Sequence, residues 1–299
     1  MQRRNFLIFT SLGGLAPSVL AQPSRPLTRA IPGTGELLPV IGMGTWLTFD
    51  VNPAEPARRD LLPVLQAFIE AGGTLIDSSP MYGDAEDVLG ELLPQVRGRE
   101  RVFSATKVWT LGKEAGVGQM EQSRQLWRLP RIDLMQVHNL LDWETHLRTL
   151  RTMKDAGKLR YIGVTTSHGR RHDELERIMR REPIDFVQFT YNMVDRRAEA
   201  RLLPLAHDLG KAVIINRPFD GGAMFNHVRG RPLPPWAQEL GCVTWSQLFL
   251  KWIVAHPAVT CAIPATSRTA HMQQNMGALR GALPDTQQRQ RIADAFARA

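Results

Sequence analysis

Eight short apolar runs, rich in branched residues, recur along the chain at 38–46, 74–79, 102–108, 132–139, 161–167, 186–192, 212–219 and 259–265, and each closes on polar residues. Amphipathic stretches of helical period lie between them. Leu61, Leu62, Val64, Leu65, Phe68 and Ile69 mark one such face, and Leu147, Leu150 and Met153 mark another. Gly72-Gly73 and Gly157-Lys158 supply turn signals. Eight strands alternating with about eight helices over ~260 residues predict an α/β protein with a parallel (β/α)8 TIM barrel rather than an open sheet. The intervals vary, so these are fold units and not sequence repeats. No GxGxxG follows a strand, so the usual dinucleotide-binding fold has no support.

Composition agrees with one large barrel. The chain has 299 residues, 43% hydrophobic and 22% charged. Its net charge of +8 raises nucleic acid as a partner, but the basic residues are scattered. The densest stretch, 170–181, also holds Asp173, Glu174 and Glu176 and reads as a solvated helix face. No nucleic-acid partner is expected; a basic surface instead favours anionic cofactors and substrates. Cys242 and Cys261 lack any CxxC spacing and read as buried small hydrophobes, with a disulfide between them as the alternative. His168 and His172 are four apart, as metal ligands on a helix are, but no third ligand is near, so no metal is expected. Trp245 and Trp252 fall on an apolar helical stretch and are expected in the core.

The first 21 residues, MQRRNFLIFTSLGGLAPSVLA, have a different organisation. Arg3 and Arg4 precede a modestly apolar stretch diluted by Gly13, Gly14 and Pro17, and the small residue Ala21 ends it. This is the layout of a signal peptide with a twin-arginine n-region, and it is too short and broken for a stable membrane anchor. The expectation is export to the periplasm by the twin-arginine machinery, which carries folded proteins. A cofactor enzyme can then be assembled before it leaves the cytoplasm. Residues 22–35, with Pro23, Pro26, Pro32, Gly33 and Gly35, read as a linker, and 36–299 as the barrel.

In a barrel of this kind chemistry sits where strands end. Asp77 closes the second run, Lys107 the third, His138 the fourth, Thr165 and Thr166 the fifth, and Gln188 and Asn192 the sixth; Tyr82 follows Asp77 in its loop. Singly, Asp77 could cap a helix, His138 could be a bonded core residue and Lys107 could reach the rim. Four ionisable groups converging on one face leave those readings little room.

Four segments carry a resemblance to a known family. Ile76-Asp77-Ser78-Ser79-Pro80-Met81-Tyr82-Gly83 resembles the D-[TS]-[AS]-x-x-Y-G segment of aldo/keto reductases. Ala105-Thr106-Lys107-Val108 is similar to that family's T-K strand, and Asp133-Leu134-Met135-Gln136-Val137-His138 to its D-L-x-x-x-H strand. The run from Gly157 to Val164 resembles its G-K-[IVL]-R-x-[IL]-G-[VL] stretch, and order and spacing match from about Gly42 to Asn275. The resemblance implies an NAD(P)H-dependent oxidoreductase that reduces an aldehyde or ketone to an alcohol, or the reverse. Its catalytic tetrad would be Asp77, Tyr82, Lys107 and His138. Tyr82 would give the proton, and Lys107 is expected to lower its pKa from the ordinary value of about 10. Asp77 would hold Lys107 charged, and His138 would share a hydrogen bond with the substrate oxygen. A non-catalytic nucleotide-binding subunit or redox sensor on the same barrel is the alternative, and a hydrolase or isomerase barrel a distant third.

The resemblance also implies cofactor contacts. Gln188 and the pair Thr165-Thr166, where many members have Ser-Asn, would hold the nicotinamide carboxamide. A stacking tyrosine often opens the segment after the seventh strand; here that segment is Asn216-Arg217-Pro218-Phe219, so Arg217 or Phe219 is expected to take over. After the eighth strand, Thr266, Ser267 and Arg268 lead into a helix whose N-terminus suits phosphate, with Asn275 further along. The family's usual 2′-phosphate positions hold Ala265 and His271 here, leaving Arg268 to favour NADPH, with NADH possible. Trp46 and Trp109, at strand ends near Asp77 and Lys107, are expected to wall an apolar substrate pocket.

Overall fold

The computed structural model describes residues 25–299, so the segment expected to be a signal peptide, with Arg3 and Arg4, lies outside the described residues. Eight parallel strands follow one another around a barrel, each paired with its sequence neighbour. They are β3 (Met43–Gly44), β4 (Leu75–Asp77), β5 (Phe103–Val108), β6 (Ile132–Val137), β7 (Leu159–Thr165), β8 (Phe186–Thr190), β9 (Ala212–Asn216) and β10 (Cys261–Ala262). Bridges Ile41↔Ala262 and Gly44↔Ala265 join the first strand to the last, with Gly42 N–H donating to the Ala262 carbonyl at 2.9 Å. The helices that flank the site are α1 (Leu62–Glu70), α2 (Ala85–Leu92), α3 (Lys113–Leu126), α4 (Trp143–Asp155) and α5 (His172–Arg181). Then come α6 (Leu202–Asp208), α7 (Ala223–His227), α8 (Trp245–Val254), α9 (Thr269–Gly277) and α10 (Thr286–Ala297). No described helix is long and apolar enough to cross a membrane.

The period of two along each strand sorts the side chains into two layers. Leu75, Phe103, Ala105, Leu134, Tyr161, Phe186, Ala212, Ile214 and Cys261 fill the barrel interior. Their neighbours Ile76, Met135, Ile162, Val164, Val187, Val213 and Ile215 face outward, into the apolar layer packed by the helices. Five of these inward rows continue, two residues at a time, into a polar residue at the strand's C-terminal end. Leu75 leads to Asp77, Ala105 to Lys107, Leu134 to Gln136 and His138, Phe186 to Gln188, and Ile214 to Asn216. The alternation alone therefore gathers the polar groups at one mouth of the barrel.

The other mouth is closed by a segment that the sequence reading took for linker. β1 (Thr28–Ala30) pairs antiparallel with β2 (Leu37–Pro39), and Ile31 and Leu38 from this hairpin pack into the interior cluster. Gly35, at φ 74, lets its N–H and that of Thr34 both reach the Ile31 carbonyl. Glu36 and Thr34 then bond the Tyr161 hydroxyl at 2.6 and 2.9 Å, fastening the plug to β7. The proline and glycine content of 25–35 thus marks a turn and not a tether.

Both cysteines are free and buried in separate layers, Cys261 inside the barrel and Cys242 beneath the helices, so the disulfide alternative does not hold. Trp252 is buried, with its indole N–H on the Arg289 carbonyl at 3.1 Å, and Trp245 packs on the same core at its edge.

Candidate active site

Lys107 lies at the bottom of the polar mouth, wholly buried, where an ammonium needs compensation. Its Nζ donates to Asp77 Oδ2 at 2.6 Å and to the Ser78 carbonyl at 2.7 Å. Asp77 Oδ1 accepts from Gln188 Nε2 at 2.9 Å and Gln136 Nε2 at 3.3 Å. A buried carboxylate with three N–H donors is held in one orientation, and so is the lysine it faces. Burial works against the Lys107 charge, but Asp77 and Tyr82 outweigh it and set the ammonium's pKa above its ordinary value.

Tyr82 reaches this pair from the loop after β4. Lys107 Nζ sits 4.9 Å from the centre of its ring, close enough for the ammonium to act on the phenol's charge. The loop places it by a tight turn in which Tyr82 N–H donates to the Ser79 carbonyl at 2.9 Å, with Pro80 at the position a turn favours for proline. Gly83 follows at φ +55, and a Cβ there would fall 2.0 Å from Asp50 Oδ1, which explains the glycine after the tyrosine. Burial pushes the Tyr82 phenol above its ordinary pKa, Lys107 pulls it down and Asp77 adds to the rise. The sequence reading expected Lys107 to win. It does not, because the ring's loss of water is the larger effect, and the net direction is upward.

His138 stands against Tyr82, ring centres 5.6 Å apart and nearly perpendicular. Its Nδ1 lies 2.8 Å from Ser79 Oγ. Burial, then the nearby Lys107 charge, depress its pKa to about 2, so the imidazole is neutral at any working pH. Above these groups opens a cavity of about 660 Å³.

Asp77, Tyr82, His138, Thr165, Thr166, Gln188, Asn216, Arg217, Phe219 and Trp46 all line that cavity. Others do not play the part expected of them. Trp109 is outside the lining: Val108 and Trp109 run past the inward Lys107, and Gln119 of α3 ties the Trp109 backbone outward at 2.6 Å. Asn216 lines the cavity, but its amide is engaged within the barrel. It accepts from Thr190 Oγ1 at 2.7 Å and donates to the Thr166 carbonyl at 2.9 Å, knitting β7, β8 and β9 together. Phe219 is mostly buried against Phe225, ring centres 4.8 Å apart. The Arg217 guanidinium lies 6.0 Å from the Trp46 ring centre, beside Asp220.

Thr266, Ser267, Arg268 and Asn275 sit just beyond the cavity lining, which ends at Ala265. The first turn of α9 has no side-chain cap, and Arg268 is its N-cap residue. Such a turn leaves N–H groups open to an anion. Thr266 Oγ1 accepts from Arg268 N–H at 3.1 Å, and Asn275 is buried in α9. The Thr166 hydroxyl is buried with no hydrogen-bond partner among the described residues, an unmet polar group on the cavity wall. It suits an amide, whereas Gln188 already spends its amide N–H on Asp77.

Sequence reasoning missed Gln136, Ser79, Leu47, Met81, Asn139 and Arg170. Gln136 was reachable, two residues before His138 on a strand of period two. The others sit on loops whose direction no pattern encodes.

The match to known proteins covers this whole architecture. The model of the aldo/keto reductase family matches residues 40–295. A methylglyoxal reductase of Escherichia coli, YeaE, is 28% identical over 249 residues, spanning 81% of this chain and 86% of that protein. An aldo-keto reductase from Klebsiella pneumoniae, solved in complex with NADPH, is 25% identical with a TM-score of 0.74, covering 91% of this chain and 96% of that one. The thermostable aldo-keto reductase Tm1743 is 26% identical at the same TM-score, covering 90% and 99%. With its barrel closed, its polar residues gathered at one mouth and residues 40–295 matched by the family model, the chain belongs to the aldo/keto reductase family.

Proposed function

We propose that the protein is an NADPH-dependent carbonyl reductase with Tyr82 as its proton donor. The observation that carries this is the buried Lys107, paired with the Asp77 carboxylate and set beside the Tyr82 ring on the floor of a cavity open to small molecules. The nicotinamide cofactor supplies the hydride when bound. Thr166, with its unmet hydroxyl, and Thr165 would hold the carboxamide. Arg268 and the open first turn of α9 would take phosphate.

The chain's own groups handle the proton. A phenol whose pKa lies above its ordinary value stays protonated at neutral pH, which a donor needs. As negative charge develops on the substrate oxygen, the Tyr82 proton moves to that oxygen. The Lys107 ammonium, fixed by Asp77, stabilises the phenolate left behind. Neutral His138 donates a hydrogen bond to the same oxygen and orients it. Trp46, Leu47 and Met81 keep the entrance apolar and help exclude water.

The Escherichia coli relative is named for methylglyoxal, so small aldehydes and dicarbonyls head the substrate set. Loss of NADPH absorbance with a panel of methylglyoxal, aliphatic and aromatic aldehydes and simple ketones tests the reading. Turnover with none of them would overturn it. We also infer from the paired arginines that residues 1–21 direct export of the folded protein to the periplasm.

A further inference from the structure

We propose that Ser79 is a positioning residue that fixes the tautomer of His138, so that Nε2 carries the proton and faces the substrate. The inference rests on the reductase reading of the site and adds to it the reason His138 acts as a donor. A neutral imidazole has one N–H and one bare nitrogen, and which is which follows from the partner of the other nitrogen. Here that partner is a serine hydroxyl, which either donates or accepts, so the rest of its bonding must decide.

Ser79 opens the turn that carries Tyr82. Its Oγ accepts from the Met81 N–H at 3.2 Å, two residues on, as turn serines do. Its other partner among the described residues is His138 Nδ1, at 2.8 Å. Ser79 is completely buried. If Nδ1 bore the proton, the serine oxygen would accept from both neighbours and its own proton would be left in the interior with no acceptor, an arrangement folded proteins avoid. If Ser79 donates to Nδ1, every group is satisfied: Met81 N–H to Ser79 Oγ, and Ser79 O–H to Nδ1. The imidazole proton then sits on Nε2. His138 lines the cavity, and no described residue takes a hydrogen bond from Nε2. Its N–H is therefore available to a substrate oxygen.

The same short turn thus sets both proton-bearing groups. Its backbone closes with the Tyr82 N–H on the Ser79 carbonyl, and its first side chain orients the ring that faces Tyr82 at 5.6 Å. With alanine at 79, His138 would lose that lock and the Nδ1–H form would become populated. In that form Nε2 is a bare lone pair, which repels a developing oxyanion instead of binding it.

The test is a nitrogen NMR spectrum of full-length protein labelled with 15N-histidine, with the His138 signals assigned by comparison with His138→Gln. The wild type is expected to show Nδ1 as the unprotonated and Nε2 as the protonated nitrogen. Ser79→Ala is expected to show both tautomers, with kcat for an aldehyde about tenfold lower and NADPH affinity unchanged. Wild-type protein with the proton on Nδ1 would overturn the proposal, whether or not the alanine variant folds. So would an alanine variant that keeps the wild-type tautomer. The spectrum needs no turnover, so protein with Nε2–H that reduces no carbonyl would refute the reductase reading while leaving the tautomer assignment in place.

Discussion

Lys107 and Asp77 form an ion pair at 2.6 Å, with neither side chain more than 2% exposed. An interior pair of this kind costs much of its attraction in lost hydration, so its presence marks a charge that must be kept. Removing one partner strands the other. Asp77→Asn is therefore expected to lower unfolding stability by ~3–5 kcal/mol, measured as a shift in denaturant midpoint. Arg201→Ala, which breaks surface pairs to Asp173 and Glu176, should cost no more than ~1 kcal/mol. Equal effects at the two sites would show that the interior pair is not charged.

The direction of the Tyr82 shift gives a pH profile. The protonated phenol is the active form in reduction, and its pKa is raised, so activity is present below that pKa and lost as pH climbs through it. His138, neutral down to about 2, adds no acid limb. The kcat/KM for aldehyde reduction is expected to stay level from about pH 6 to pH 9 and to fall only beyond the ordinary tyrosine range. A falling limb centred near neutrality would mean that Lys107 outweighs burial after all.

The arrangement of strand ends was legible in the sequence because it depends on periods the side chains obey. Asp77, Lys107 and His138 each continue an inward row, and a period of two carries them to the same mouth. The hairpin at 28–39 was not legible, since its prolines and glycines serve equally for a tether and for the tight turn around Gly35. Asn216 shows a different limit. It lines the cavity, but its amide satisfies Thr190 and Thr166 across two strands, a choice set by neighbours 26 and 50 residues away. Trp109 lies two residues after the inward Lys107, so a period of two aims it at the pocket, but β5 ends at Val108 and Gln119 of α3 holds the Trp109 backbone outward.

Cofactor choice is expected to depend on Arg268, the residue heading α9. Arg268→Ala should weaken NADPH binding roughly tenfold to a hundredfold, as loss of one charge-assisted contact does, and leave NADH binding nearly unchanged. Titration of protein fluorescence with each cofactor measures this. Equal losses for both would move Arg268 to the shared pyrophosphate.

The proposed export is a separate matter and rests on residues outside the described structure. Changing Arg3 and Arg4 together to lysine is expected to hold the protein in the cytoplasm. Cell fractionation followed by immunoblotting gives the answer. Undiminished appearance in the periplasm would refute the twin-arginine assignment without touching the chemistry.

The central claim is that Tyr82 gives the proton. Tyr82→Phe keeps the ring against His138 and Lys107 and removes only the hydroxyl, so fold and NADPH affinity should persist. The decisive measurement is single-turnover reduction of a reactive aldehyde by the NADPH complex, wild type beside Tyr82→Phe. The expected result is a fall in rate of at least ~10²–10⁴, the usual contribution of a positioned general acid, at unchanged NADPH affinity. Reduction at the wild-type rate by a variant that binds NADPH normally would contradict the account, and would leave the buried Lys107–Asp77 pair without the role assigned to it.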